Sequence, residues 1–213
     1  MTRILKKLAI IAIAATINVT VYAQTMYGVQ AGVNFSTLSG WLREVLESTT
    51  LDINKKSGIQ FGVFSEVPMR NPSFGLQGEL LFSQLGTKME DNYTQYGRRI
   101  REIGTLNLNC FMSRVHVQFN HVFTYDLALT LHTGFHGGYA LWAKAKYERF
   151  VNDKKEDGDS EKFFGDASGK AADFGVGFGA ALTIQEKFRV GLSYDAGIVF
   201  HNTSITLTYM LGK

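Results

Sequence analysis

The chain carries one cysteine, Cys110. That excludes an internal disulfide and a cysteine-rich metal site. Proline occurs twice, as Pro68 and Pro72. Proline cannot serve a central strand ladder, so this pair marks a turn and leaves the rest of the chain free to form strands. No segment after residue 23 has the ~18–20 consecutive apolar residues of a membrane-crossing helix. An excess of charge is also missing. The formal charge is +3, but Arg3, Lys6 and Lys7 lie in an acid-free stretch, and 3 − 3 leaves 0 for residues 24–213. No basic field remains to attract nucleic acid. No glycine-rich loop opens a helix after a strand, and Asp157-Gly158-Asp159 lacks the ligand spacing of a calcium loop. No cofactor is implied.

What the chain does contain is aromatic residues, glycine and alternation. It has 16 Phe, 9 Tyr and 22 Gly in 213 residues. Residues 1–23 read as a secretory signal peptide: a basic start, an apolar stretch from Leu8 to Ala15, and Val21-Tyr22-Ala23 before the cut. Domain organisation is then a signal peptide at 1–23 and one domain at 24–213. Ser73–Lys88 sets the pattern for that domain. Phe74, Leu76, Leu80 and Phe82 share one side, and Gln77, Glu79 and Ser83 share the other. Successive strand side chains point to opposite faces.

Seven further runs behave alike. They are Met26–Ser36, Ile59–Val67, Thr105–Phe119, Asp126–Tyr147, Asp173–Ile184, Phe188–Phe200 and Ser204–Leu211. In the fourth run in chain order, Leu106, Leu108, Cys110 and Met112 are apolar at even positions, but Val115, Val117 and Phe119 at odd ones. A β-bulge near Ser113 is expected to reconcile the halves. In the fifth run Trp142, Lys144 and Lys146 are expected on the polar side with His132 and His136.

Eight runs, joined alternately by long (37–57, 88–103, 148–171) and short connections, predict an all-β, eight-stranded, antiparallel up-and-down transmembrane barrel. Long loops lie outside, short turns lie on the periplasmic side, and apolar faces meet lipid. The location expected is the bacterial outer membrane, with outer-membrane lipid and lipopolysaccharide as surroundings. Eight strands enclose a lumen that side chains fill.

GVQAGVNFSTLSG at 28–40, LQGELLFSQLGTK at 76–88, LALTLHTGFHGGYALWAK at 127–144, DFGVGFGAALTI at 173–184 and VGLSYDAGI at 190–198 resemble strands of the PorT-like "porin family" of small outer-membrane barrels. The resemblance implies the barrel fold and the location. Its name-giving members are similar to accessory factors of a protein-secretion system, so envelope or secretion proteins are the partners it implies.

The candidate residues fall into two groups. Glu66, Glu79, Arg114, His116, His132, His136, Arg189 and Asp195 are expected to form a polar cluster in the lumen, since a charge there must be paired or is costly to desolvate. Arg98, Arg99 and Arg101 form a basic loop that could meet lipopolysaccharide phosphates, because the guanidinium fork fits phosphate. His132 and His136, four apart on a strand, are about 13 Å apart, too far for one metal ion. Ser193, His132 and Asp195 could make a hydrolytic set, but no nucleophile-elbow sequence surrounds Ser193. Neither a catalytic nor a metal residue is assigned. The function expected is non-enzymatic, in envelope structure or partner binding through the long loops. The alternatives are a secretion accessory, a narrow channel and a lipid-modifying enzyme.

Overall fold

The computed structural model describes residues 25–40, 44, 51–164 and 172–212. The signal-peptide segment lies outside them, and so does most of Trp41–Ser48, where the sequence of the first long connection allows a short helical turn. Nine strands are present among the described residues: β1 Met26–Leu38, β2 Leu51–Pro68, β3 Phe74–Gln95, β4 Arg98–Thr124, β5 Leu127–Val151, β6 Lys154–Phe164, β7 Ala172–Ile184, β8 Phe188–Gly197 and β9 Phe200–Gly212. Every pairing is antiparallel. The order β4-β3-β2-β1-β9-β8-β7-β5 closes through β4–β5, which makes a ring of eight strands. β6 pairs with β5 and stands outside the ring.

The exterior of the ring is apolar. Phe61, Val63, Phe178, Leu192 and Leu207 are all about half exposed and share the outward parity of their strands. The interior holds the polar partners on those strands, including Gln30, Asn34, Gln60 and Ser204. A soluble barrel would reverse these faces, so the exterior is a lipid-facing surface. Aromatic pairs rim it. Phe74–Phe119 and Phe188–Tyr209 lie at the turn end, Phe61–Phe82 and Phe178–Tyr194 toward the other. Phe74 and Phe82 are eight residues apart on β3. At ~3.3 Å per residue and an ordinary barrel tilt this is about 20 Å of height, close to the apolar band of a transmembrane barrel.

Two of the expected long loops are instead sheet. β3 and β4 continue as a hairpin to Tyr96-Gly97, and β5 and β6 to Asn152-Asp153. All four turn residues have positive φ (51°, 74°, 48° and 61°), as a two-residue turn matched to strand twist requires. β4 and β5 therefore reach 27 and 25 residues, against the ~9–11 that cross a bilayer. β2 begins at Leu51, well before the expected Ile59, and Leu51–Lys55 pairs with Thr87–Asp91. The final turn is at 198–199 rather than 201–203.

The bulge is on a different strand from the expected one. The β3–β4 register is unbroken through Ser113, and the shift lies in β4–β5, where Asn109 pairs with Trp142 and Cys110 with Ala140. Leu141 is the extra residue. On β4 the even positions point inward throughout, so Leu108, Cys110 and Met112 are buried in the lumen with Arg114, His116 and Gln118. The parity change in the sequence marks a change of lumen chemistry, from apolar to polar. It is no change of face. The true bulge turns Trp142, Lys144 and Lys146 outward, and Trp142 lies against Phe82 at 6.0 Å on the lipid side.

Candidate functional site

The lumen is filled in two layers. Leu38, Ile53, Leu81, Leu85, Leu108, Cys110, Met112 and Phe200 form one apolar cluster in the loop-end half. Asp173 covers it by accepting hydrogen bonds from the Val199 and Phe200 amides at 2.9 and 3.3 Å. The sequence signal for this layer was Leu81, Leu85, Leu108 and Met112 at inward parity.

The polar layer lies nearer the turn end. The structure brings the eight expected residues into two connected groups. In one, Arg114 donates to Asp195 at 2.5 Å and to Glu79 at 3.4 Å. His116 stands 3.5 Å from Glu79, and His136 stands 3.8 Å from the far oxygen of Asp195. His132 stacks on His116 with ring centres 4.8 Å apart, and it contacts the Ser193 hydroxyl at 3.2 Å. In the other, Arg189 donates to Glu66 at 3.0 Å and to Gln77 at 3.2 Å. Gln77 also donates to Glu79 at 2.8 Å and so joins the two groups. Gln30, Gln77 and Gln118, not singled out from the sequence, are part of this network: Gln30 donates to Glu79 at 2.8 Å, and Gln118 lies against Gln77.

The glycine row on β7 makes room for it. A Cβ on Gly177 would stand 2.7 Å from Asp195 Oδ1, and one on Gly179 would stand 2.5 Å from His132 Nε2. Between the two groups is a cavity of about 20 Å³, enough for one water. Ser193 and His132 do meet, but Asp195 is held by Arg114 and Asn202 rather than by His132. Among the described residues no three His, Cys, Asp or Glu are grouped to hold a metal ion.

The second region is the sheet beyond the ring, formed by the ends of β2, β3, β4 and β5 with β6. Its register gives each side chain a face. Lys88, Arg99, Arg101, Lys144, Lys146 and Lys155 continue the lipid-facing side, with Asp52, Glu90 and Glu148 among them. Glu90 binds Arg101 at 2.5 Å and Lys88 at 3.4 Å. Glu148 binds Lys155 at 2.7 Å and Lys146 at 3.0 Å. Arg101 holds the Glu90 carboxyl below its ordinary range, and Lys155 and Lys146 do the same for Glu148. The opposite face carries Arg149 and Tyr93 around Glu102, at 3.6 and 3.0 Å. The three expected loop arginines are thus strand residues. Arg99 and Arg101 share one face and Arg98 is on the other, so they do not form one cluster.

Residues 22–199 match the protein family described as Outer membrane protein beta-barrel domain. The chain belongs to that family. It is a bacterial outer-membrane β-barrel, and its ring strands are transmembrane. Among solved structures, Ail, the attachment invasion locus protein of Yersinia pestis, is 13% identical, with 88% of this chain and 99% of that chain covered and a TM-score of 0.39. Its complex with the heparin analogue sucrose octasulfate gives 13%, 88%, 99% and 0.37. The translocator domain of the autotransporter NalP from Neisseria meningitidis gives 9% identity, 98% and 96% coverage, and 0.31. These overlaps are too loose to carry a function across. A search of curated proteins returns no match. In an outer-membrane barrel the short turns face the periplasm. Met69–Ser73, Tyr125-Asp126 and Gln185–Lys187 are those turns here, so the sheet beyond the ring is extracellular.

Proposed function

We propose that this outer-membrane barrel is a non-enzymatic, non-conducting envelope protein that acts through its extracellular sheet. The observation that supports this most is the lumen, in which an apolar layer lies over a charge-paired layer. Ions need a continuous polar path, and Leu81, Leu85, Leu108 and Met112 interrupt it. A substrate needs room, and the cavity holds one water. The extracellular sheet, by contrast, is large and exposes Tyr96 at its tip almost fully.

The test is a photo-crosslinking residue in place of Tyr96 in intact cells. The expected result is a discrete adduct at Tyr96 that is missing when the same residue replaces Tyr125 at the periplasmic end. No adduct at Tyr96, or equal adducts at both ends, would contradict the reading. The second reading is the secretion-accessory role. Its support is the set of PorT-like strand motifs, and it requires that secretion components co-purify with the detergent-extracted protein.

A further inference from the structure

The boundary between lipid and water on β3, β4 and β5 has a definite chemistry. Trp142 and Phe82 mark the edge of the apolar exterior. Two residues beyond Trp142 on the same face is Lys144, and two beyond that is Lys146. At ~3.3 Å per residue they stand about 7 and 13 Å along the strand from Trp142. Lys146 pairs with Thr105, and Thr105 with Lys88, so the two lysines share one cross-strand row. Two strand spacings put their backbones about 10 Å apart. Lys144 has no carboxylate partner among the described residues. Glu90 and Glu148 are each shared between two cations, and Asp52 lies across the strands from Glu90 on the same face. Among the described residues the cations of this face, Lys88, Arg99, Arg101, Lys144, Lys146 and Lys155, outnumber its carboxylates, Asp52, Glu90 and Glu148, so the surface is net positive where it leaves the apolar band.

We propose that Lys88, Lys144 and Lys146 bind the phosphate groups of anionic outer-leaflet lipid whose acyl chains lie on the apolar wall below them. Charge complementarity and continuity with the lipid-facing surface both select a membrane lipid over a soluble anion. This goes beyond the role proposed for the sheet tip and does not depend on it. The lysines anchor the base of the sheet at the leaflet surface and leave Tyr96 free.

The test is native mass spectrometry of the detergent-folded protein with bisphosphorylated lipid A and with the same lipid after phosphate removal. The expected result is retention of the bisphosphorylated form, with about tenfold weaker binding in the Lys144→Gln/Lys146→Gln double variant, the loss of one or two charge-assisted contacts. Lys144→Arg/Lys146→Arg is expected to retain binding, and so is Lys187→Gln at the periplasmic end. A heat-dependent gel shift checks that each variant is folded. Equal binding of both lipid forms would overturn the proposal, as would unchanged binding in the folded double Gln variant. Complete displacement by inorganic pyrophosphate at equal concentration would overturn it too, by showing a site for soluble anions.

Discussion

Arg114 is a buried cation between two carboxylates of the lumen. It is 2% exposed and faces two carboxylates, Glu79 and Asp195, themselves 7% and 2% exposed. Removing one partner of a buried ion pair leaves an uncompensated charge, at a cost of about 3–5 kcal/mol. Arg114→Met is therefore expected to lower the unfolding free energy of the detergent-folded protein, read from guanidinium titration, by that amount. Adding Glu79→Gln and Asp195→Asn should recover much of it, because the remaining groups can still hydrogen-bond without net charge. A triple variant less stable than Arg114→Met would show that the network does not act as a unit. The residues of this layer were legible in the sequence because each is polar at an inward parity. Their pairing was not. Asp195 lies 81 residues from Arg114, and only ring closure brings β4 and β8 to opposite walls of one lumen.

At the scale of elements, alternation located all eight ring strands, yet three features escaped it. The first is the apolar layer. Even-numbered Leu108, Cys110 and Met112 look like lipid-facing residues, and hydrophobicity alone cannot tell lipid from a greasy lumen. Continuity of parity with Arg114 was the available signal. The second is the bulge at Leu141, where two apolar neighbours, Leu141 and Trp142, break a clean alternation. The third is the hairpin extensions. Tyr96-Gly97 and Asn152-Asp153 are two-residue turn signals between alternating runs, but abundant charge on both sides gave those runs the look of loops. The lipid-facing assignment itself has a direct check. Leu207 is 57% exposed on the outward face of β9. An arginine in the midplane of a barrel exterior costs about 2–4 kcal/mol. Leu207→Arg is expected to destabilise the protein by that much in urea titration from lipid vesicles. No change, as for an exposed position on a soluble protein, would mean the outer wall does not meet lipid.

At the scale of the whole molecule, the protein divides into a closed transmembrane ring and a sheet that continues from one side of it. The strands β2 to β5 belong to both, so the sheet is held by the barrel's own ladders rather than by a flexible linker. The proposed binding at its tip would then need little further ordering, which favours affinity. In the role proposed for this protein the barrel serves as a mount, and its filled lumen contributes stability. The measurement that tests this most directly is ion conductance of the folded protein in a planar bilayer. With Leu81, Leu85, Leu108 and Met112 over the Arg114 and Arg189 pairs, the expected trace is flat, with no steady steps at any applied voltage. Stable, ohmic steps of a single size would contradict it, by showing an open path through the lumen.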